Sequence, residues 1–318
     1  MRAMHLIIPF AASASQGFAD ALAKLQLPML QKLLARLSPL PADIGEERSL
    51  SPPHERALAA AMGLPVVDGK IPLAALHAQQ TCHSAAPHSA WAFISLCHWQ
   101  VNTGHVAMSP LPPPALSPTQ SDALLAAMQP YFEEDGIRLY ADQPGRWLAQ
   151  GEVFTELATA SPDRVVGRNL ADWMNNTPQA ATLRRLQNEM QMLLYTHPVN
   201  DARDTMNLPT VNSFWIHGSG ALPLGYQPPA ANERPVLIPT LREPALADNW
   251  SDWLQAWQAL DADEIQALLQ ATATRQPVRL TLCGERSSRS WHIQPQPVWH
   301  KLKSFLGPKP LSELIGTL

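Results

Sequence analysis

Three cysteines in 318 residues, Cys82, Cys97 and Cys283, are too few and too widely spaced for a disulfide scaffold, and they include no C-x-x-C. An odd, scattered set fits a reducing compartment, so the cytoplasm is the expected location. No run approaches the roughly 20 apolar residues of a membrane helix, and no membrane partner is expected. Lysines and arginines number 23 against 27 acidic residues, a formal net charge of −4, and they form no cluster. The electrostatic footprint that nucleic-acid binding needs is therefore missing. Charged residues are 16% of the chain and hydrophobic ones 46%, the balance of a folded protein. No internal repeat is visible.

What the chain does have is 31 prolines and 10 tryptophans. The prolines are scattered through turns, which predicts stiff loops around a compact body. A chain of 318 residues allows one large or two smaller domains. Near the N-terminus, Leu6-Ile7-Ile8 is short and interrupted by Pro9. It reads as a buried first strand in preference to a secretory signal. Helical spacing then recurs on both sides of Pro28, near His54–Met62 and over Leu73–Gln80, before Trp91–Val101 reads as a strand. Met108–Ser117 holds four prolines and is the best candidate boundary. Ser117-Pro118-Thr119-Gln120 forms a capping box that starts a helix ending near Asp135-Gly136. Short strands follow at 137–140 and 146–149, a helix over 177–196 and a strand over 213–217. Helices holding Trp250, Trp253 and Trp257, then Ile265 and Leu268, precede strands at 278–283 and 291–293. This alternation predicts an α/β fold with a largely parallel sheet.

The segment from Arg184 to Gly220 carries the densest set of candidate binding residues. Leu183, Leu186, Met190, Leu193 and Leu194 share one apolar helical face, while Arg184, Arg185, Asn188 and Glu189 are spread over the rest. Arg185 and Glu189 also form an i, i+4 pair of the kind exposed helices use. After the helix come His197, Asn200 and Arg203, then Asn212 and the run Trp215-Ile216-His217-Gly218-Ser219-Gly220. An apolar strand ending in a small-residue turn is where open α/β sheets bind ligands, and Gly218-Ser219-Gly220 offers backbone N–H groups to an anion. The bland reading of His197 is a cap at a helix end.

Those residues, together with Asn188-Glu189-Met190-Gln191-Met192-Leu193-Leu194 and His197-Pro198-Val199-Asn200, resemble the pattern of archaeal-type cofactor-independent phosphoglycerate mutases. They resemble still more closely a related bacterial group, the RpfE-type regulatory proteins, from about Cys97 through Gly220. The resemblance implies the fold of the alkaline phosphatase superfamily, a doubly wound, largely parallel sheet with a smaller inserted α+β domain. The core would then be residues 1–110 and 206–318, and the insert 111–205. It also implies two metal ions held by Asp and His, with a serine carrying the phosphoryl group. This chain departs from that pattern. Pro9-Phe10-Ala11-Ala12 stands where an Asp-Gly ligand belongs, and Cys283-Gly284-Glu285-Arg286 where an Asp-His pair belongs. Glu285 and His292 are the available substitutes, and Ser13 is a nucleophile in position only.

Elsewhere, Cys82, His83, His88, Cys97, His98 and His105 match no compact zinc spacing, so neither metal nor cofactor is expected. The three tryptophans recur at helical spacing and read as core. Glu133, Glu134 and Asp135, like Asp261 and Asp263, read as solvated helix ends. Arg164 and Arg168 lie on one loop that could close over an anion. The expected function is a mutase-like binding or regulatory protein for a small anionic ligand or a protein partner. The alternative is a metal-dependent mutase or phosphotransferase with a rebuilt site.

Overall fold

The computed structural model describes residues 4–81, 88–111, 113, 115–274, 276–293 and 311–318. Cys82 and His83, of the cysteines and histidines weighed for zinc, lie outside them. The chain forms two compact units, Met1–Arg48 with Pro52–Gly63 and Gln227–Leu318, and Ser49–Ser51 with Leu64–Tyr226. The division at 111 and 205 is thus displaced. The strands near residues 90 and 213 belong to the second unit, which is slightly the longer of the two. They hydrogen-bond to each other and to the hairpin strand 146–150, and that ladder keeps them in one body.

In the first unit, strand Met4–Ile8 is buried from its second residue onward and pairs in parallel with Val236–Leu237 and Val278–Cys283. Ser287–His292 returns antiparallel to the latter, so the sheet is mixed. Alternation along the strands puts Leu6, Ile8, Leu280 and Leu282 on one face, under helices Phe18–Lys24, Pro28–Leu34, Trp250–Leu260 and Gln266–Ala273. Trp253 and Trp257 of that layer are wholly buried, as the spacing predicts. Helix Pro53–Met62 also packs on the central strands, outside that cluster. Asp261 corrects the sequence reading, because it is buried and not a solvated helix end. Its carboxylate accepts the amide protons of Met29 and Leu30, at 3.0 and 2.7 Å. Helix 28–34 begins at Leu27, which has no side chain to cap with, and a residue more than 200 positions away does the work of an N-cap.

In the second unit the sheet runs in the order 138–143, 146–150, 90–97, 213–221, with every pair antiparallel. A largely parallel, doubly wound sheet therefore does not describe this half, although the mixed α/β character holds. The reading failed for a physical reason. Strand Ala90–Cys97 is buried at every position, the mark of a parallel strand covered on both sides. Here helices cover both faces of an antiparallel sheet. Helices Pro118–Glu134 and Ala181–Tyr195 lie over Ala92, Ile94 and Ile216, and helix Leu73–Thr81 lies over Trp91, Phe93 and Leu148. The capping box forms as read, with Ser117 Oγ accepting from Gln120 N and Gln120 Oε1 accepting from Ser117 N.

Candidate functional site

Helix Ala181–Tyr195 turns its apolar stripe onto strand Ser213–Ala221, and at its N-terminal end the packing stops short. There a narrow surface cleft of about 40 Å³ opens between the helix, the strand and the segments 157–160 and 173–175. Its walls are mainly apolar, from Leu157, Met174, Leu183 and Ile216 and the indoles of Trp173 and Trp215. Trp215 Nε1 donates to Ala160 O at 2.8 Å, so this ring offers the cleft only carbon. Arg184 is the cation of the lining. Its Nη1 donates to the carbonyls of Asn175 and Thr177 at 2.8 and 2.9 Å, which holds the guanidinium by one nitrogen. One turn on, Gln187 is almost fully buried and its Nε2 donates to Phe214 O at 3.2 Å.

Two expected site residues, Arg184 and Trp215, thus meet at one cleft, and the rest of the expected set lies elsewhere. Arg185 is exposed and pairs with Asp135 at 2.5 Å and Glu189 at 2.8 Å. Asn188 is exposed on the same helix. His197 Nδ1 accepts from Val199 N at 3.2 Å and caps helix Pro198–Thr205. Burial lowers its pKa, with Asp201 opposing. Asn200 is buried and triply bonded, its amide nitrogen donating to Leu194 O and Val211 O and its oxygen accepting from Val211 N. Arg203 is wholly buried, and its Nε donates to Pro209 O at 2.8 Å. Asn212 clamps Trp99 through both backbone groups, at 2.7 and 2.9 Å. Arg164 is buried, donates to Ser49 O at 2.9 Å, and stacks its guanidinium 5.1 Å from the Trp173 ring. Arg168 sits half-buried just beyond the short helix Pro162–Val165.

The expected glycine turn is a correction. Gly218, Ser219 and Gly220 lie inside strand 213–221, which continues to Ala221 with a register shift opposite Trp91 and Phe93. Gly218 has φ 63°, and a Cβ there would come within 3.1 Å of Phe93, so the bulge requires glycine. Ser219 is buried, and its hydroxyl shares a hydrogen bond with Thr159 and donates to Leu157 O. The Ser219 amide donates to Thr159 Oγ1 at 3.4 Å, and Gly220 pairs with Trp91.

His217 belongs to a second polar group, on the sheet face that bears Phe93. Its Nε2 is 2.9 Å from Ser95 Oγ, and its ring stacks on Phe93 with centroids 5.1 Å apart. Arg146 lies over the other side of that surface, 4.7 Å from the Phe93 centroid, and pairs with Asp142, which also meets His77 at 2.7 Å. Sequence spacing could not find this group, since its members come from four strands and a helix.

The arrangement of residues 200–212 carries a direct prediction. Replacing Asn200 with Ala orphans the carbonyl and the amide of Val211, while Leu194 O keeps the His197 amide, so the urea midpoint should fall by an equivalent of about 2–3 kcal/mol. Arg185→Ala, which removes only exposed ion pairs, should leave the midpoint unchanged within error. Equal effects of the two would show that Asn200 does not hold this corner.

The metal centre that the resemblance implies does not fit the residues present. Ser13 Oγ donates to Glu285 Oε1 at 3.0 Å at the carboxyl ends of strands 4–8 and 278–283. His292, however, pairs with Arg279 at the other end of that ladder, while Cys283 pairs with Ser288. Four residues of strand put His292 roughly 13 Å from Ser288, at the end of the ladder next to Glu285. Among the described residues, no three His, Cys, Asp or Glu side chains stand together as ligands for a metal.

No family model and no curated protein matches the chain. Among solved structures it is similar to a cofactor-independent phosphoglycerate mutase from Thermoplasma acidophilum DSM 1728, at 11% identity and a TM-score of 0.38, covering 92% of this chain and 90% of that one. It is also similar to a protein from Pyrococcus horikoshii, at 10% identity and a TM-score of 0.46, covering 92% and 88%. These neighbours are distant, and the assignment of function falls to the chain's own residues.

Proposed function

We propose that this chain is a binding protein for a small anionic ligand, which it takes in the cleft at Arg184. One observation carries the reading. Arg184 is held in place through Nη1 alone, and neither its Nε nor its Nη2 bonds to any described residue. A guanidinium so anchored, among apolar walls, is preorganised for an oxyanion and has lost part of its hydration already. Ligands sit in such clefts, mostly apolar with a few fixed polar groups. A regulatory role would follow if occupancy changes what the protein contacts, and that rests on binding being established first.

Thermal-shift and calorimetric titration with acetate, benzoate, lactate, inorganic phosphate and 3-phosphoglycerate tests the reading. At least one anion should stabilise the folded chain, by about 2.7 kcal/mol at a hundredfold excess over Kd. Arg184→Gln should abolish that gain, and Arg185→Gln should leave it intact. Stabilisation that persists in Arg184→Gln, or no response to any anion, would sink the proposal.

A further inference from the structure

Resting on that reading, we infer that the ligand is a 2-hydroxy or 2-amino carboxylate with an apolar side chain. The polar groups of the cleft divide into those already committed and those left over. Thr159 shares its hydroxyl with Ser219. Asn175 donates to Ala158 O, and its Oδ1 accepts from both the amide and the hydroxyl of Thr177. Two groups remain. One is Arg184, a cation with donors to spare.

The other is the side-chain oxygen of Gln187. The Phe214 carbonyl can only accept, so Nε2 must face it, which fixes the amide orientation and leaves Oε1 as the free end. No described residue donates to that oxygen. Gln187 is 7% exposed, and an acceptor in such a setting gains from any donor brought to it.

Arg184 and Gln187 are three residues apart on one helix, hence neighbours on the same face. A ligand complementary to them carries a carboxylate for the guanidinium and a hydrogen-bond donor close beside it. A hydroxyl or ammonium on the adjacent carbon meets that need in the smallest molecule, and the cleft is narrow. No carboxylate lines it to attract a simple amine. Inorganic phosphate fits poorly, since at neutral pH it carries between one and two negative charges and only one cation is offered. The indole of Trp215, with its nitrogen tied off, and the side chains of Met174 and Leu183 accept an apolar body.

Calorimetry on the full chain with two matched series tests this. The aromatic series is 3-phenyllactate, phenylalanine, 3-phenylpropionate and phenethylamine. The shorter one is 2-hydroxyisocaproate, leucine, 4-methylpentanoate and isoamylamine. In at least one series the hydroxy or amino acid should bind ten times or more tightly than the plain carboxylate, with the amine not binding. Whether hydroxyl or ammonium wins identifies the donor. Gln187→Met should erase that tenfold advantage, and the comparison among ligands on the unaltered chain does not depend on the variant folding. Equal binding of plain and substituted carboxylates, tightest binding of the amine, or a preference for inorganic phosphate over all of them would overturn the inference. The first and last of these leave anion binding at Arg184 standing. If neither series nor any anion binds, the broader reading falls together with this one.

Discussion

Trp253→Ala is expected to cost the first unit about 3–5 kcal/mol of stability, the largest effect of any single truncation considered for this chain. The indole is wholly buried, meets Phe18 edge-on at 5.4 Å and Trp257 at 6.1 Å, and lies under the face of the mixed sheet. Truncation leaves a cavity that its rigid aromatic neighbours cannot fill. A polar component adds to the loss. Trp253 Nε1 donates to Phe10 O at 2.9 Å, and Phe10 has φ 56°, an uncommon left-handed conformation for a residue with a Cβ. That hydrogen bond helps hold the turn at the carboxyl end of the first strand. Trp253→Phe, which keeps much of the apolar contact and loses the donor, should therefore cost less than the alanine variant but still be measurable. Urea unfolding followed by circular dichroism reads both. A loss under about 1 kcal/mol for Trp253→Ala would contradict the packing described here.

The second large effect is on acid stability. His5 is buried beside the central strand of the mixed sheet, with Nε2 2.9 Å from Thr281 Oγ1, which in turn lies 2.8 Å from Ser290 Oγ. Burial, and to a lesser degree the charge of Arg279, lowers its pKa from 6.5 to about 4. In the unfolded chain the imidazole takes up its proton near pH 6.5. Between those values the unfolded state binds more protons than the folded one, so stability rises with pH. The contribution is complete above pH 6.5, is lost progressively as pH falls toward 4, and totals about 3 kcal/mol over the interval. Unfolding free energies at pH 7.5, 6, 5 and 4 should trace that loss. In His5→Gln the His5 part of the slope should vanish. Parallel curves for the variant and the parent chain would show that His5 is not the group responsible.

Much of the local structure was legible in the residues. The capping box at Ser117, the tryptophan stripe of helix 250–260 and the strand 278–283 each depend on neighbours within a few positions, and each forms where its pattern places it. The segment from Arg184 to Gly220 likewise contains two residues of the cleft. Within that segment, the residues singled out for polarity divide by burial. Asn200 and Arg203 hold the chain's own carbonyls, Ser219 meets a carbonyl and a neighbouring hydroxyl, and Arg184 keeps donors toward the cleft. Gln187 was not singled out, since a glutamine on an apolar stripe gives no signal until its carbonyl partner is known.

By itself, then, the sequence determined the elements, their caps and the α/β class, because helical and strand periods, proline positions and capping pairs are written over short spans. Only the tertiary structure decided that the second sheet is antiparallel, that Asp261 caps a distant helix and that His217 faces Ser95. It alone decided which arginine faces a cleft and which is spent on backbone. Strand sense and side-chain satisfaction depend on contacts between residues far apart in the chain, and a buried strand or a polar side chain has the same local pattern whichever partner it finds.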